Sequence, residues 1–159
     1  MDLPQNITSF KSLEAVIDKI TASDMILDET YIDSLSNTFF ALSLLLTKKE
    51  QRLGQNDVLY TRKLDDDVDN IVEESICRAT CAEKILNVNG LSPQNRLTIQ
   101  KLVPKFKEMA ELTKQSTETK KQMLSILNKA GLSTKPETGN SGCMLVFLIM
   151  IIISGLTLI

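Results

Sequence analysis

The sequence predicts an all-α chain: an up-and-down bundle of about four helices over residues 1–132, a flexible linker over 133–142 and a single transmembrane helix over 143–159. Three observations carry this. Apolar residues recur at three- and four-residue spacing through most of the chain, with Pro and Gly at the breaks. No stretch alternates apolar and polar residues for long enough to make a half-buried strand. The run from Cys143 to Ile159 holds no charged residue.

A first helix is placed near 9–21, after Pro4, and a second near 25–53. The second carries Ile32, Leu35, Phe39, Leu42 and Leu46 on one face. Phe40, Leu44 and Leu45 widen that face almost all the way round, so it is expected to be the central, most buried helix. Gly54 separates it from a third helix near 57–87, whose stripe is Leu64, Val68, Ile71, Val72, Ala79, Ala82, Ile85 and Leu86. "NVNGLSPQN" then supplies a Gly stop, a Ser cap and a first-turn Pro, opening a fourth helix near 93–131. Short connections favour antiparallel neighbours.

The fourth helix divides into two parts. Leu97, Val103, Phe106 and Met109 face the bundle, residues 114–122 are polar on every side, and the segment from Met123 to Leu132 is expected to extend beyond the other helices with its apolar face exposed. Met123, Leu124 and Leu127 are therefore the predicted partner-binding residues. Beyond Lys120, Lys121 and Lys129 no basic cluster flanks them, which favours a protein partner over a bilayer surface.

A uncharged helix of this length spans about 25 Å, short for a bilayer core but close to what a thin one needs. A buried helix of a soluble core would carry a polar stripe, and here only Ser154, Gly155 and Thr157 interrupt. A glycolipid-anchor signal would need secretory targeting, yet "MDLPQNITSFKSLEAVIDKI" has Asp2 where a basic region belongs and no sufficient apolar run. The expectation is a tail anchor with the bundle in the cytosol, and Asn6-Ile7-Thr8, although of glycosylation-site form, unmodified. The span ends in "GLTLI" without basic residues, which points to endoplasmic reticulum or other secretory-pathway membranes, with the mitochondrial outer membrane as the alternative.

Composition narrows the chemistry. Eighteen Lys and Arg against 20 Asp and Glu give a net charge of -2, so no field gathers nucleic acid. The absence of His and Trp removes the commonest general base and transition-metal ligand. No enzyme activity and no cofactor are predicted. "KLDDDVDNIVEES" places acids at the first, third and fifth positions of a calcium loop. Asn70 stands where the Gly belongs and Ile76 where the bidentate Glu belongs, so Asp65, Asp66 and Asp67 read as dipole-complementing residues in the early turns of a helix. Cys77 and Cys81, one turn apart on the back of the third helix, read as small residues covered by the first or fourth helix rather than as a redox pair or half a metal site. Cys143, at the membrane boundary, is a candidate for acylation.

A cytosolic helix leading to a C-terminal span resembles the layout of the SNARE membrane-fusion proteins, and "SGCMLVFLIM" is similar to the start of many of their anchors. That resemblance implies an unbroken heptad seam beside the membrane. Here the seam runs through Ile99, Phe106, Thr113, Lys120 and Leu127, with two polar residues where apolar knobs belong and Pro104 interrupting the helix upstream. The reading is a non-enzymatic tail-anchored protein that presents a helical interaction domain to the cytosol as an adaptor or tether. Alternatives are a divergent SNARE-like fusion or tethering factor, a glycolipid-anchored surface protein and an apoptosis-type helical regulator. Partners are the membrane and other proteins, with no nucleic acid.

Overall fold

The computed structural model describes residues 7–23 and 27–132. Five helices follow in order: α1 Phe10–Ala22, α2 Glu29–Gln55, α3 Val58–Thr61, α4 Val68–Ile85 and α5 Pro93–Lys129. Among the described residues there is no strand, and the fold is an all-α helical bundle.

Side chains set the helix starts. Ser9 and Ser12 form a capping box on α1, the Ser12 N–H donating to Ser9 Oγ over 3.1 Å and the Ser9 N–H to Ser12 Oγ over 3.2 Å. Asp28 accepts from the Tyr31 N–H at 2.7 Å, and Ser92 from the Asn95 N–H at 3.2 Å, each satisfying a donor the helix itself leaves unpaired. At the far end of α4, Arg96 covers the last carbonyls by donating to Leu86 O and Val88 O. Gly90 then turns the chain at φ 83, in the left-handed region that glycine tolerates.

Three departures from the sequence reading have clear physical causes. The expected third helix is two. Asp57 caps a single turn, α3, which stops at Arg62 with φ 56, and the chain runs irregularly to Val68. Asp65, Asp66 and Asp67 therefore precede α4 instead of lying in its early turns, and they are held by cations: Arg52 to Asp67 at 3.0 Å and Lys63 to Asp66 at 2.9 Å.

The central helix is α4, not α2. It packs against α1, α2 and α5, and its small buried residues Ser75, Ala79, Cys81 and Ala82 let those neighbours approach closely. With only 13 residues, α1 cannot cover the whole outer side of α2, so Leu44 and Leu45 stand 61% and 57% exposed. Finally, Pro104 does not interrupt α5. It lies on the exposed side, so the Gln100 carbonyl deprived of its helical donor can turn to water.

Contacts along the helices give their directions. Phe10 N–H donates to Glu74 and Glu14 accepts from Lys84, so α1 runs parallel to α4. Glu50 meets Arg78 while Arg52 meets Asp67, and Lys107 meets Glu83 while Lys121 meets Asp69; α2 and α5 are thus both antiparallel to α4. The core divides accordingly. In the half covered by α1 it is mainly apolar, with Phe39 as a hub whose ring meets Phe10 and Phe106 edge-on, each at 5.9 Å. From the level of Glu50 toward the end of α5, buried Glu50, Ser75, Thr113 and Thr117 interleave with Leu53 and Ile71.

Candidate interaction surface at the end of the bundle

The last turns of α5 are closed by backbone geometry. Leu132 N–H donates to Leu127 O and Gly131 N–H to Asn128 O, both at 3.1 Å, with Gly131 at φ 69. This is a Schellman stop: glycine takes the left-handed position and the orphan carbonyls find donors. The α5 helix therefore ends at Lys129.

Beside that stop the segment after α3 folds against α5. Leu64, Lys121, Leu124, Ser125, Asn128 and Lys129 line an open cleft of about 520 Å³. Lys121 is drawn to Asp69 at 2.5 Å, and the Lys120 ammonium donates to the Leu53 carbonyl at the end of α2. The cleft offers an apolar wall from Leu64 and Leu124 under an amine-bearing rim, a setting that suits an apolar side chain next to an acidic one.

The predicted partner residues fall in different places. Met123 and Leu124 are half-buried, and Leu124 lines the cleft. Leu127 is only 5% exposed, which corrects the expectation of an apolar face left bare from Met123 to Leu132. The cause is that the polar stretch 114–122 still packs: Thr117, and Thr113 just before it, are buried, so this part of α5 stays on the bundle and carries Leu127 inward with it. The outward apolar residue is Ile126, 61% exposed, and Leu97 in the first half of the helix also faces out. Cys143 lies outside the described residues.

The sequence reading missed a buried ionic layer. Arg78 is 0% exposed and the Glu50 side chain 5%. Arg78 Nη2 donates to Glu50 Oε1 at 2.7 Å and Nη1 to Oε2 at 3.0 Å, a two-point match of guanidinium to carboxylate. The Ser75 hydroxyl donates to Glu50 Oε1 at 2.6 Å, Thr47 Oγ1 accepts from Nη1 at 3.2 Å, and the Arg78 Cζ sits 4.6 Å from the centre of the Phe106 ring. Arg78 thus ties α4 to α2 and α5 at once. A signal was present: Arg78 stands midway between Ile71 and Ile85 at heptad spacing, and Glu50 falls between Leu46 and Leu53, so each charge occupies an apolar stripe.

The back-face cysteines are covered by α1. Cys81 is fully buried and its thiol donates to Phe10 O at 3.4 Å; Cys77 is half-buried. Burial first, then the Glu14 carboxylate, pushes both thiols above their ordinary range, which leaves little thiolate for redox or metal chemistry at neutral pH. Among the described residues no group of His, Cys, Asp or Glu is arranged to hold a metal ion, and no helix is long and apolar enough to cross a membrane; the 143–159 run lies outside them. No family model, no curated protein and no solved structure matches this chain.

Proposed function

We propose that the chain is a non-enzymatic, tail-anchored membrane protein in which residues 143–159 span a secretory-pathway membrane, endoplasmic reticulum first, and the helical bundle is presented to the cytosol as an adaptor or tether. The observation that carries this reading is the placement of the cleft lined by Leu64 and Leu124: it is also lined by Asn128 and Lys129 at the end of α5, the last described helix before the uncharged run in the sequence. A partner seated there would be held within reach of the bilayer. The linker of ten residues, 133–142, can extend to at most about 35 Å.

The Schellman stop at Gly131 supports a tether over a SNARE-like fusion factor. Force from a zippering helix reaches a membrane through a rigid connection, and a capped helix followed by a Pro- and Gly-containing linker decouples the two. Recovery of bound protein from solubilised membranes tests the reading, comparing the full chain with Met123→Asp/Leu124→Asp and with a form lacking 143–159. The expected result is a partner captured by the full chain and lost with the double substitution while the far-UV helical signal is kept. Equal recovery with and without the two aspartates would remove the cleft from the proposal. Protease added to intact membranes should remove the bundle, and a glycan on Asn6 would favour a glycolipid-anchored surface protein instead. A fluorescent protein fused ahead of residues 133–159 should label the endoplasmic reticulum; uniform mitochondrial labelling would overturn the destination.

A further inference from the structure

We infer that the Arg78–Glu50 layer is a latch: it divides the bundle into two units of unequal stability, and the half beyond α1 opens there, releasing the carboxyl-terminal turns of α5. The inference rests on the asymmetry of the core. In the covered half, α1, α2, α4 and α5 converge on Phe10, Leu13, Ile17, Leu35, Phe39 and Phe106, all buried and apolar. Beyond the latch there is no α1, and the buried side of α5 there carries Thr113 and Thr117 next to Leu53 and Ile71.

Two polar groups here are poorly matched. Arg78 Nε, in the latch itself, and Thr117 Oγ1, beyond it, are buried and find no protein partner. Whether water reaches them or not, each weakens its layer, since a buried polar group is neutral at best when bridged and costly when bare. The paired guanidinium and carboxylate also hold little net stability, because desolvation offsets most of their attraction, yet they permit only one alignment of α2 against α4. The pair therefore specifies register more than it strengthens the fold.

Opening this half has a defined consequence. The Lys120–Leu53 contact and the α3 segment release together, and Leu127, buried when closed, joins Met123 and Leu124 as accessible apolar surface on α5. The consequence for binding rests on the partner-binding reading above; the latch itself does not.

Hydrogen exchange on the full chain in detergent micelles, resolved by peptide, tests it without any partner. Amides of 50–55 and 113–127 should exchange at least tenfold faster than those of 79–85 and 97–110, because they open sub-globally. Replacing both charges, Arg78→Met with Glu50→Leu, should slow the first pair of segments about tenfold or more and leave the second pair unchanged. Uniform exchange across the four segments, or a slowing shared equally by all of them, overturns the latch. Where the double variant does not fold by far-UV circular dichroism, Thr117→Val takes its place. It removes one unpartnered hydroxyl at constant shape and should slow the same segments; unchanged or faster exchange there also overturns the proposal. Capture of a partner by wild type but not by the locked double variant links the latch to binding. Exchange that follows the latch with equal capture by both breaks that link, whereas failure of wild type to capture any partner removes the binding reading alone.

Discussion

Leu127→Ala and Leu124→Ala, three residues apart on α5, should differ sharply in cost. Leu127 is 5% exposed, and its carbonyl anchors the Schellman stop by accepting from Leu132 N–H. Leu124 is half-buried and faces the open cleft. Truncating a buried leucine removes its transfer free energy and leaves a cavity, about 2–5 kcal/mol in total. The end of the bundle can relax more easily than its middle, which places Leu127→Ala near the lower part of that range, about 2–3 kcal/mol. At Leu124 roughly half of the burial term applies and the cleft wall leaves no closed cavity, so the loss is about 1 kcal/mol. Urea unfolding of each full-length variant in micelles, followed by far-UV circular dichroism, measures the two. For Leu127→Ala the midpoint should fall clearly, and for Leu124→Ala only slightly, with the slope unchanged in both. Equal costs, or a larger loss at Leu124, would refute the assignment of Leu127 to the core and of Leu124 to the cleft.

Three further outcomes are expected. Phe39→Ala, at the ring hub joining α1, α2 and α5, should lose about 3–5 kcal/mol in the same assay, and a loss under about 1 kcal/mol would contradict the hub. Gly90→Ala should destabilise by about 1–3 kcal/mol, because φ is 83 and an added Cβ would lie 2.5 Å from Ile32 Cδ1; an Ile32→Val background should recover part of that loss in thermal melts. The buried thiols give a pH prediction. Burial raises Cys77, Cys81 and Tyr31 above their ordinary values, so the folded state holds these protons more tightly than the unfolded chain, and the stability they lend is complete below about pH 9 and lost as pH rises further. Melting temperatures should hold from neutral pH to about 9 and fall above it, and iodoacetamide at pH 7.5 should label Cys81 only after unfolding; rapid labelling of the native chain would contradict the burial.

The all-α class and the main apolar stripes were legible in the sequence because they depend on local spacing. The stripe through Ile32, Leu35, Phe39 and Leu46, the Gly90 stop and the Ser92-Pro93 start each follow from a few adjacent residues, and all appear in the structure. Of the seam through Ile99, Phe106, Thr113, Lys120 and Leu127, Lys120 is half-buried and the other four are buried, Leu127 against the expectation that it lies exposed. What the spacing did not say was which helix covers which. An apolar run such as "FFALSLLL" has the same pattern whether neighbours surround it or not; only the shortness of α1 and the small residues of α4 decided that α4 takes the centre and that Leu44 and Leu45 face out. The break between α3 and α4 escaped for a related reason, since Arg62 adopts a left-handed φ that no arginine announces in sequence.

The sequence by itself thus determined an all-α chain with the Gly90 stop and Ser92 cap and an uncharged run after the bundle, because periodicity, capping and charge are properties of neighbouring residues. Tertiary structure alone decided that Leu127 is core and Leu124 is cleft, and that Arg78 and Glu50, 28 positions apart, neutralise one another inside the bundle. Pairing of that kind depends on the register of whole helices, and register is fixed only when they pack.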